Sequence, residues 1–372
     1  MNYIPVNEPL LDGNEKKYLQ KCIETGWISS EGPYVKELEE KVSLMSGRKF
    51  GIAVCNGTAA LEAAVIAAGI KEGDEVIMPS FTIISCASAV IRAGARPVLV
   101  DSESDTWNMD TGQIRDKITG RTSAIMIVHI YGLPVDIDPV LKIAEEFNLK
   151  VIEDAAELIG QTYKGKPCGN FGDVSTFSFY PNKHITTGEG GMIVTDDAEI
   201  AEKCRSLRNL CFKNGRRFVH DELGFNFRMT NLQAAVGTAQ FEKLNEKIIK
   251  KRMTGKLYSE LLKDIPFIKL PLEKTEFADN IYWVYGILIR KEYGMNAEQI
   301  MKELDNLKIG TRPFFYPMHL QPVFKKSGMF RNEEYPVSEN LAEYGFYIPS
   351  GLGLTEDQIK YTAEKIRKVF CD

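Results

Sequence analysis

The chain has 372 residues, 44% of them hydrophobic and 26% charged, with a formal net charge of −5. At roughly 150 residues per domain this length suits two domains, and the proportions are those of a globular protein, which excludes disordered, collagen-like and coiled-coil classes. The negative balance gives no global field for nucleic acid or an anionic membrane, so an anionic substrate must be held by local positive groups.

The opening stretch MNYIPVNEPLLDGNEKK has no basic start followed by an apolar run, so no secretory leader is expected. Short runs rich in Val, Ile and Phe are read as strands at 51–55, 75–78, 97–101, 123–128, 150–153, 174–179 and 191–195. Most lack polar alternation, as strands covered on both faces do. Helical patterns lie between them at 58–68, 84–92, 139–147 and 198–209. This alternation predicts an α/β fold with a mainly parallel sheet and helices on both faces. The longest uncharged stretch, 76–91, is too short and too polar to span a bilayer. From 229 to 262 the pattern reads as one long helix, carried by Leu232, Ala235, Ala239, Leu244, Ile248 and Ile249, that bridges two domains. Beyond it, 281–289 reads as a strand, and 297–307 and 356–370 as helices. The expected division is a large domain at 1–245 and a smaller α+β domain at 246–372. Seven scattered cysteines without a CxxC pair, and only four histidines, point to a reduced, cytoplasmic protein with no metal centre.

Three segments could carry chemistry. Asn56-Gly57-Thr58-Ala59-Ala60 follows a strand and opens a helix, where free N–H groups and the helix dipole can hold a phosphate. Taken alone, such a turn is more often a plain strand–helix connection, here capped by Thr58. Its spacing fits neither a dinucleotide fingerprint nor a P-loop. Asp154 and Glu157 lie at the end of a strand, where α/β folds place their ligands; the other reading of Asp154 is a helix cap. Lys183 lies between two apolar strands, before a loop with three glycines in four positions. It is either a solvated turn lysine or a desolvated amine able to form a Schiff base. Together, a phosphate cradle, a strand-end acid and a later lysine suit pyridoxal 5'-phosphate, which needs all three.

The order NGTAAL, IEDAAE, SFYPNKHITTGEGG and GFNFRMTN resembles the nucleotide-sugar aminotransferases of the DegT/DnrJ/StrS type, from IPVNEPLLDGNE and WISSEGPYV to TRPFFYPMH. The resemblance implies a fold-type-I (aspartate aminotransferase-like) architecture, with a large domain built on a mostly parallel seven-stranded sheet. It makes Lys183 the catalytic amine and Asp154 the partner of the pyridine nitrogen. Glu157 falls beside the ring oxygen. Thr58, Ser178 and the Gly57 and Ala59 amides hold the phosphate. Asn226 reaches the phosphate of a neighbouring subunit, which implies a homodimer with shared active sites. Ile83 stands where the family usually stacks an aromatic residue on the ring. It can cover the ring, and Phe81 is not expected to replace it, because side chains alternate along a strand.

The resemblance is strongest to the branch that aminates C4 of GDP-4-keto-6-deoxy-D-mannose with glutamate as donor, for lipopolysaccharide O-antigen. It implies substrate contacts from Trp27, Ser29, His129, His184, Arg312, Tyr316 and His319. By residue type alone, Trp27 and Trp283 read as core. Arg312 can pair with a pyrophosphate or form a surface salt bridge, and His319 can be a packed ring. His184 follows Lys183 and does not replace it, which disfavours a dehydratase. The alternatives are UDP- or dTDP-linked sugars, amination at C3, or a non-catalytic cofactor-binding regulator; no basic DNA-binding segment is visible for the last.

Overall fold

The computed structural model describes residues 3–213 and 218–371. Helices α1 (Glu15–Thr25) and α2 (Pro33–Ser46) precede a run of strands and helices: β1 (Phe50–Val54), α3 (Gly57–Ala67), β2 (Glu75–Pro79), α4 (Ile84–Arg92), β3 (Arg96–Val100), β4 (Thr122–Val128), α5 (Ile137–Phe147), β5 (Lys150–Asp154), β6 (Val174–Ser178), β7 (Gly191–Thr195) and α6 (Ala198–Arg208). The seven strands form one sheet in the order β1-β7-β6-β5-β4-β2-β3. Strand β7 runs antiparallel to both neighbours, and the other contacts are parallel.

The strands read as unbroken apolar runs because both faces are covered. Val76 and Met78 of β2 pack with Ala124 and Met126 of β4 in one core, together with α3 and α4. Ile77, Ile125 and Ile127 point into a second core under α2 and α5. With period-two side chains, a strand between two helical layers has no solvent face to make polar.

The expected helix at 229–262 is two helices, α7 (Asn231–Glu242) and α8 (Leu244–Leu262). A capping box of Thr230 and Gln233 starts α7, and Lys243 breaks it at φ −109°, ψ 17°. The N-terminal segment packs at the joint. Lys243 donates to the Asp12 carbonyl at 3.0 Å, and both Gln240 and Lys247 donate to the Leu10 carbonyl at 2.9 Å. No local sequence signal marks this break.

A second, antiparallel sheet follows. Its strands are β8 (Ile268–Lys269), β9 (Tyr285–Ile289), β10 (Arg312–Pro313) and β11 (Gly345–Ile348), in the order β8-β9-β11-β10. Strand β9 begins at Tyr285, later than the expected start at 281. Tyr258, Leu262, Ile287, Ile300, Phe346 and Ile359 form its core, and Ile4 joins them from the N-terminus. Among the described residues no helix is long and apolar enough to cross a membrane.

Candidate active site

Parallel strands present their C-terminal ends along one edge of the sheet, and α/β folds bind ligands there. This edge carries Gly57 and Thr58 after β1, Ile83 after β2, Asp154 at the end of β5, Ser178 at the end of β6, and Lys183 in the β6–β7 loop. With Glu157 they line a cavity of ≈ 980 Å³.

At one end lies the first turn of α3. The helix cap is Asn56, whose Oδ1 accepts from the Ala59 amide at 2.8 Å. This corrects two expectations: Thr58 is not the cap, and the Ala59 N–H is committed to Asn56 and not free for a phosphate. The Gly57 and Thr58 amides, at the first helical positions, have no intrahelical acceptor. Thr58 Oγ1 lies 2.8 Å from Ser85 Oγ. A Cβ on Gly57 would sit 2.9 Å from Ser178 Cβ, so only glycine lets the helix start close on the strand end.

At the other end, Asp154 is buried. Its Oδ1 accepts from the Ala156 amide at 3.0 Å and its Oδ2 from the Cys86 thiol at 3.3 Å. No helix follows, so Asp154 is not a helix cap. Burial raises its pKa, opposed by these hydrogen bonds and by the Lys183 charge. Glu157 Oε2 accepts from the Tyr131 amide at 2.6 Å. Burial pushes its pKa up to about 8, against the pull of Lys183. The Lys183 amine is lowered by burial, with Glu157 and Asp154 acting in the opposite sense. It is a desolvated amine and not a solvated turn lysine.

Trp283, read from sequence as core, lines the cavity, and Lys183 Nζ lies 3.8 Å from its ring centroid. Tyr347, Phe315 and Asn182 are further wall residues that the sequence reading missed. The available signal for Phe315 was the aromatic density of RPFFYPMH, and for Asn182 its place beside Lys183. Ile83 faces the cavity and is 43% exposed. Phe81 is buried against Tyr131, Phe314 and Phe315 and does not reach it.

Most expected substrate contacts stand elsewhere. His129 is in the wall but fully buried. Its Nδ1 accepts from the Val135 amide at 3.1 Å, which leaves Nε2–H to donate to Glu153 Oε1 at 3.1 Å. Glu153 also accepts from the Gly169 and Phe171 amides and the Ser175 hydroxyl. Cys168 brings a third potential metal ligand within 4.8 Å of this pair, but those four donors already satisfy the carboxylate. His184 is buried, donates to the Ile281 carbonyl at 3.1 Å, and is held neutral by burial with a pKa of about 3. His319 is buried between Ser80 Oγ at 2.8 Å and Glu339 Oε1 at 3.0 Å. In all three cases the ring is buried and hydrogen-bonded within the chain.

Trp27 is half-exposed, so it is not core, and neither it nor the exposed Ser29 lines the cavity. Tyr316 is 51% exposed and also outside the wall. Arg312 is exposed with no carboxylate partner among the described residues, so it forms no salt bridge. It pairs in register with Tyr347, which puts it one strand from the wall. Asn226 is exposed and turned from the cavity, although Phe225 and Phe227 on either side line it.

The residues present fit pyridoxal phosphate. The Gly57 and Thr58 amides and the Ser178 hydroxyl converge at one end, and an acid and an amine at the other. Thr176 Oγ1 and Asn182 Oδ1 are buried in the wall without a hydrogen-bond partner. Fold and site together define a pyridoxal-phosphate-dependent aminotransferase of fold type I.

The chain belongs to the DegT/DnrJ/EryC1/StrS aminotransferase family, whose model matches residues 9–367. It is 40% identical over 372 residues to the GDP-perosamine synthase of Escherichia coli O157:H7, covering 100% of both chains. It is 42% identical over 356 residues to the GDP-perosamine synthase of Caulobacter vibrioides, covering 96% of this chain and 95% of that one. Among solved structures it is similar to DesV of S. venezuelae, with 28% identity, full coverage of both chains and a TM-score of 0.92. It is also similar to DesI, solved in the presence of its TDP-sugar product, with 30% identity, coverage of 99% and 93%, and a TM-score of 0.89. The chain is thus a sugar aminotransferase by family.

Proposed function

We propose that this enzyme transfers the amino group of glutamate to C4 of GDP-4-keto-6-deoxy-D-mannose. The observation that carries the chemistry is the desolvated Lys183 amine beside two buried carboxyl groups, Asp154 at the end of β5 and Glu157 in the turn that follows. The full-length likeness to two proteins named GDP-perosamine synthase supports the sugar and the nucleotide.

When bound, pyridoxal phosphate supplies an aldehyde that takes up amines and a protonated ring that draws electrons from the reacting carbon. The chain supplies the rest. The Gly57 and Thr58 amides and the Ser178 hydroxyl hold the phosphate at the start of α3. Asp154 keeps the proton on the ring nitrogen. Glu157 is protonated at neutral pH and donates a hydrogen bond to the ring oxygen. Ile83 covers one ring face. Lys183 Nζ would be the base that accepts a proton from the reacting carbon and returns it on the far side of the C=N nitrogen. Asn226 of the partner subunit reaches the phosphate in a homodimer. The chain works as two units divided near residue 245, with Ile4 attached to the second. Its acidic composition and free cysteines support a cytoplasmic setting, and the sugar one in lipopolysaccharide O-antigen supply.

The test incubates the holoenzyme with glutamate and, in turn, GDP-, UDP- and dTDP-linked 4-keto-6-deoxy sugars and a 3-keto sugar, and follows 2-oxoglutarate. Turnover confined to the GDP sugar is the expected result, and Lys183→Ala should abolish it. Turnover with another sugar alone reassigns the substrate. No turnover with any, in a protein that binds the cofactor, makes it a cofactor-binding regulator.

A further inference from the structure

Trp283 places its aromatic side chain directly against the Lys183 amine. Its ring centroid lies 3.8 Å from Lys183 Nζ. An aromatic face carries negative potential and attracts an ammonium group at this distance. The ring is fixed from both sides. Its Nε1–H donates to the carbonyl of Asn182, the residue before the lysine, at 3.0 Å. Its own carbonyl accepts from Lys251 Nζ at 2.7 Å, and Lys251 also donates to the Ser350 carbonyl at 2.6 Å. Tyr131 and Phe315 pack on the indole at 5.8 and 6.4 Å, so it cannot swing away.

Lys251 is unusual in its own right. It is 2% exposed on α8, holds two carbonyls, and has no carboxylate partner among the described residues. Burial pulls its pKa down to about 7. A buried ammonium without a counter-ion costs stability, and its two bonds tie the Trp283 backbone to the loop after β11 at Ser350.

We infer that Trp283 is a further catalytic residue, whose indole face receives the free Lys183 amine and favours its protonated form, and that Lys251 is the positioning residue that holds Trp283 there. The inference rests on the role of Lys183 proposed above. Whenever Lys183 carries a free amine, the ring acts with Asp154 and Glu157 to offset burial. It thereby sets how much of the amine is charged and how much is free to accept a proton.

The test reads the Lys183 amine in cofactor-free protein. Trinitrobenzenesulfonate modification is followed across pH and assigned to Lys183 by peptide mapping. Trp283→Leu keeps an apolar filler but removes the aromatic face, and Trp283→Phe retains a face. The other groups around the amine (Asp154, Glu157, His184, Tyr131 and Tyr347) are common to all variants. Removing a group that favours the cation lowers the pKa. The Trp283→Leu midpoint should therefore fall by about one pH unit, which is roughly tenfold more free amine at a fixed pH below it. Trp283→Phe should stay near wild type. Lys251→Met should move the midpoint in the same direction with Trp283 intact; if it does not fold, the two Trp283 variants decide. In the holoenzyme, Trp283→Leu should lower kcat about tenfold and leave KM for the sugar unchanged. An unchanged midpoint in Trp283→Leu, or a Phe variant that behaves as the Leu one, overturns the inference. The midpoint needs neither cofactor nor sugar, so its failure is separate from a failure of the sugar assay.

Discussion

Burial decides what Glu157 can do. A carboxylate cannot donate a hydrogen bond, but a carboxyl whose pKa is raised to about 8 keeps its proton at neutral pH and can. Three residues earlier, Asp154 meets the same burial but has an amide and a thiol on its two oxygens, and these favour its charged form. The raised pKa of Glu157 has a cost that depends on pH. Between the ordinary value of 4.5 and about 8, the folded chain holds a proton that the unfolded chain has released. The cofactor-free protein therefore loses stability as pH rises through that window, and the loss is complete above the folded pKa. Glu157→Gln cannot ionise and should escape it. Urea melts of the cofactor-free proteins should show little difference at pH 4 and a variant more stable by about 2–4 kcal/mol at pH 9. An offset that is the same at both pH values would contradict the pKa assignment.

At the scale of the element, the phosphate cradle depends on how closely α3 starts against the end of β6. Asn56 satisfies the Ala59 amide and so fixes where the helix begins. Gly57 then leaves room for Ser178, and Gly191 of β7 passes so near that a Cβ there would lie 2.5 Å from the Asn56 carbonyl oxygen. Gly57→Ala puts a methyl group 2.9 Å from Ser178 Cβ. Overpacking of this kind costs about 1–3 kcal/mol, and here the shift is absorbed at the proposed phosphate cradle. Absorbance titration of the cofactor-free variant should show affinity for pyridoxal phosphate lowered about tenfold or more. Affinity equal to wild type would mean that the phosphate lies elsewhere.

At the scale of the whole molecule, Asn226 faces outward. It sits in an extended segment between Phe225 and Phe227, so its side chain takes the opposite side from theirs. That placement suits a contact with a second subunit and not with its own cavity. If Asn226 of the partner subunit holds the phosphate, the cofactor binds the dimer more tightly than the monomer and stabilises it by mass action. Sedimentation should show pyridoxal phosphate shifting wild-type protein toward dimer. Asn226→Ala should weaken that shift without changing the thermal stability of the cofactor-free chain. A monomer that retains cofactor fully would exclude the shared site.

What the sequence determined by itself is local. The seven strands of the main sheet lie within a residue or two of their expected places, because a strand buried on both faces must be an apolar run, and Val76–Ile77–Met78 supplies both cores at once. Lys183, Asp154, Thr58 and Ser178 are readable because each lies within a few residues of a strand end, and a parallel sheet carries all such ends to one edge. The tertiary structure decided whatever depends on a distant partner. The break at Lys243 comes from the packed N-terminus, more than 200 residues away. His184 turns to the Ile281 carbonyl and His319 to Ser80, contacts spanning 97 and 239 residues. Trp283 reaches Lys183 across the interval between the two sheets. A histidine or tryptophan has both an apolar body and a polar edge, so its type alone leaves open whether it packs in a core or faces a cavity. Only the folded chain, by setting which groups surround it, resolves that choice.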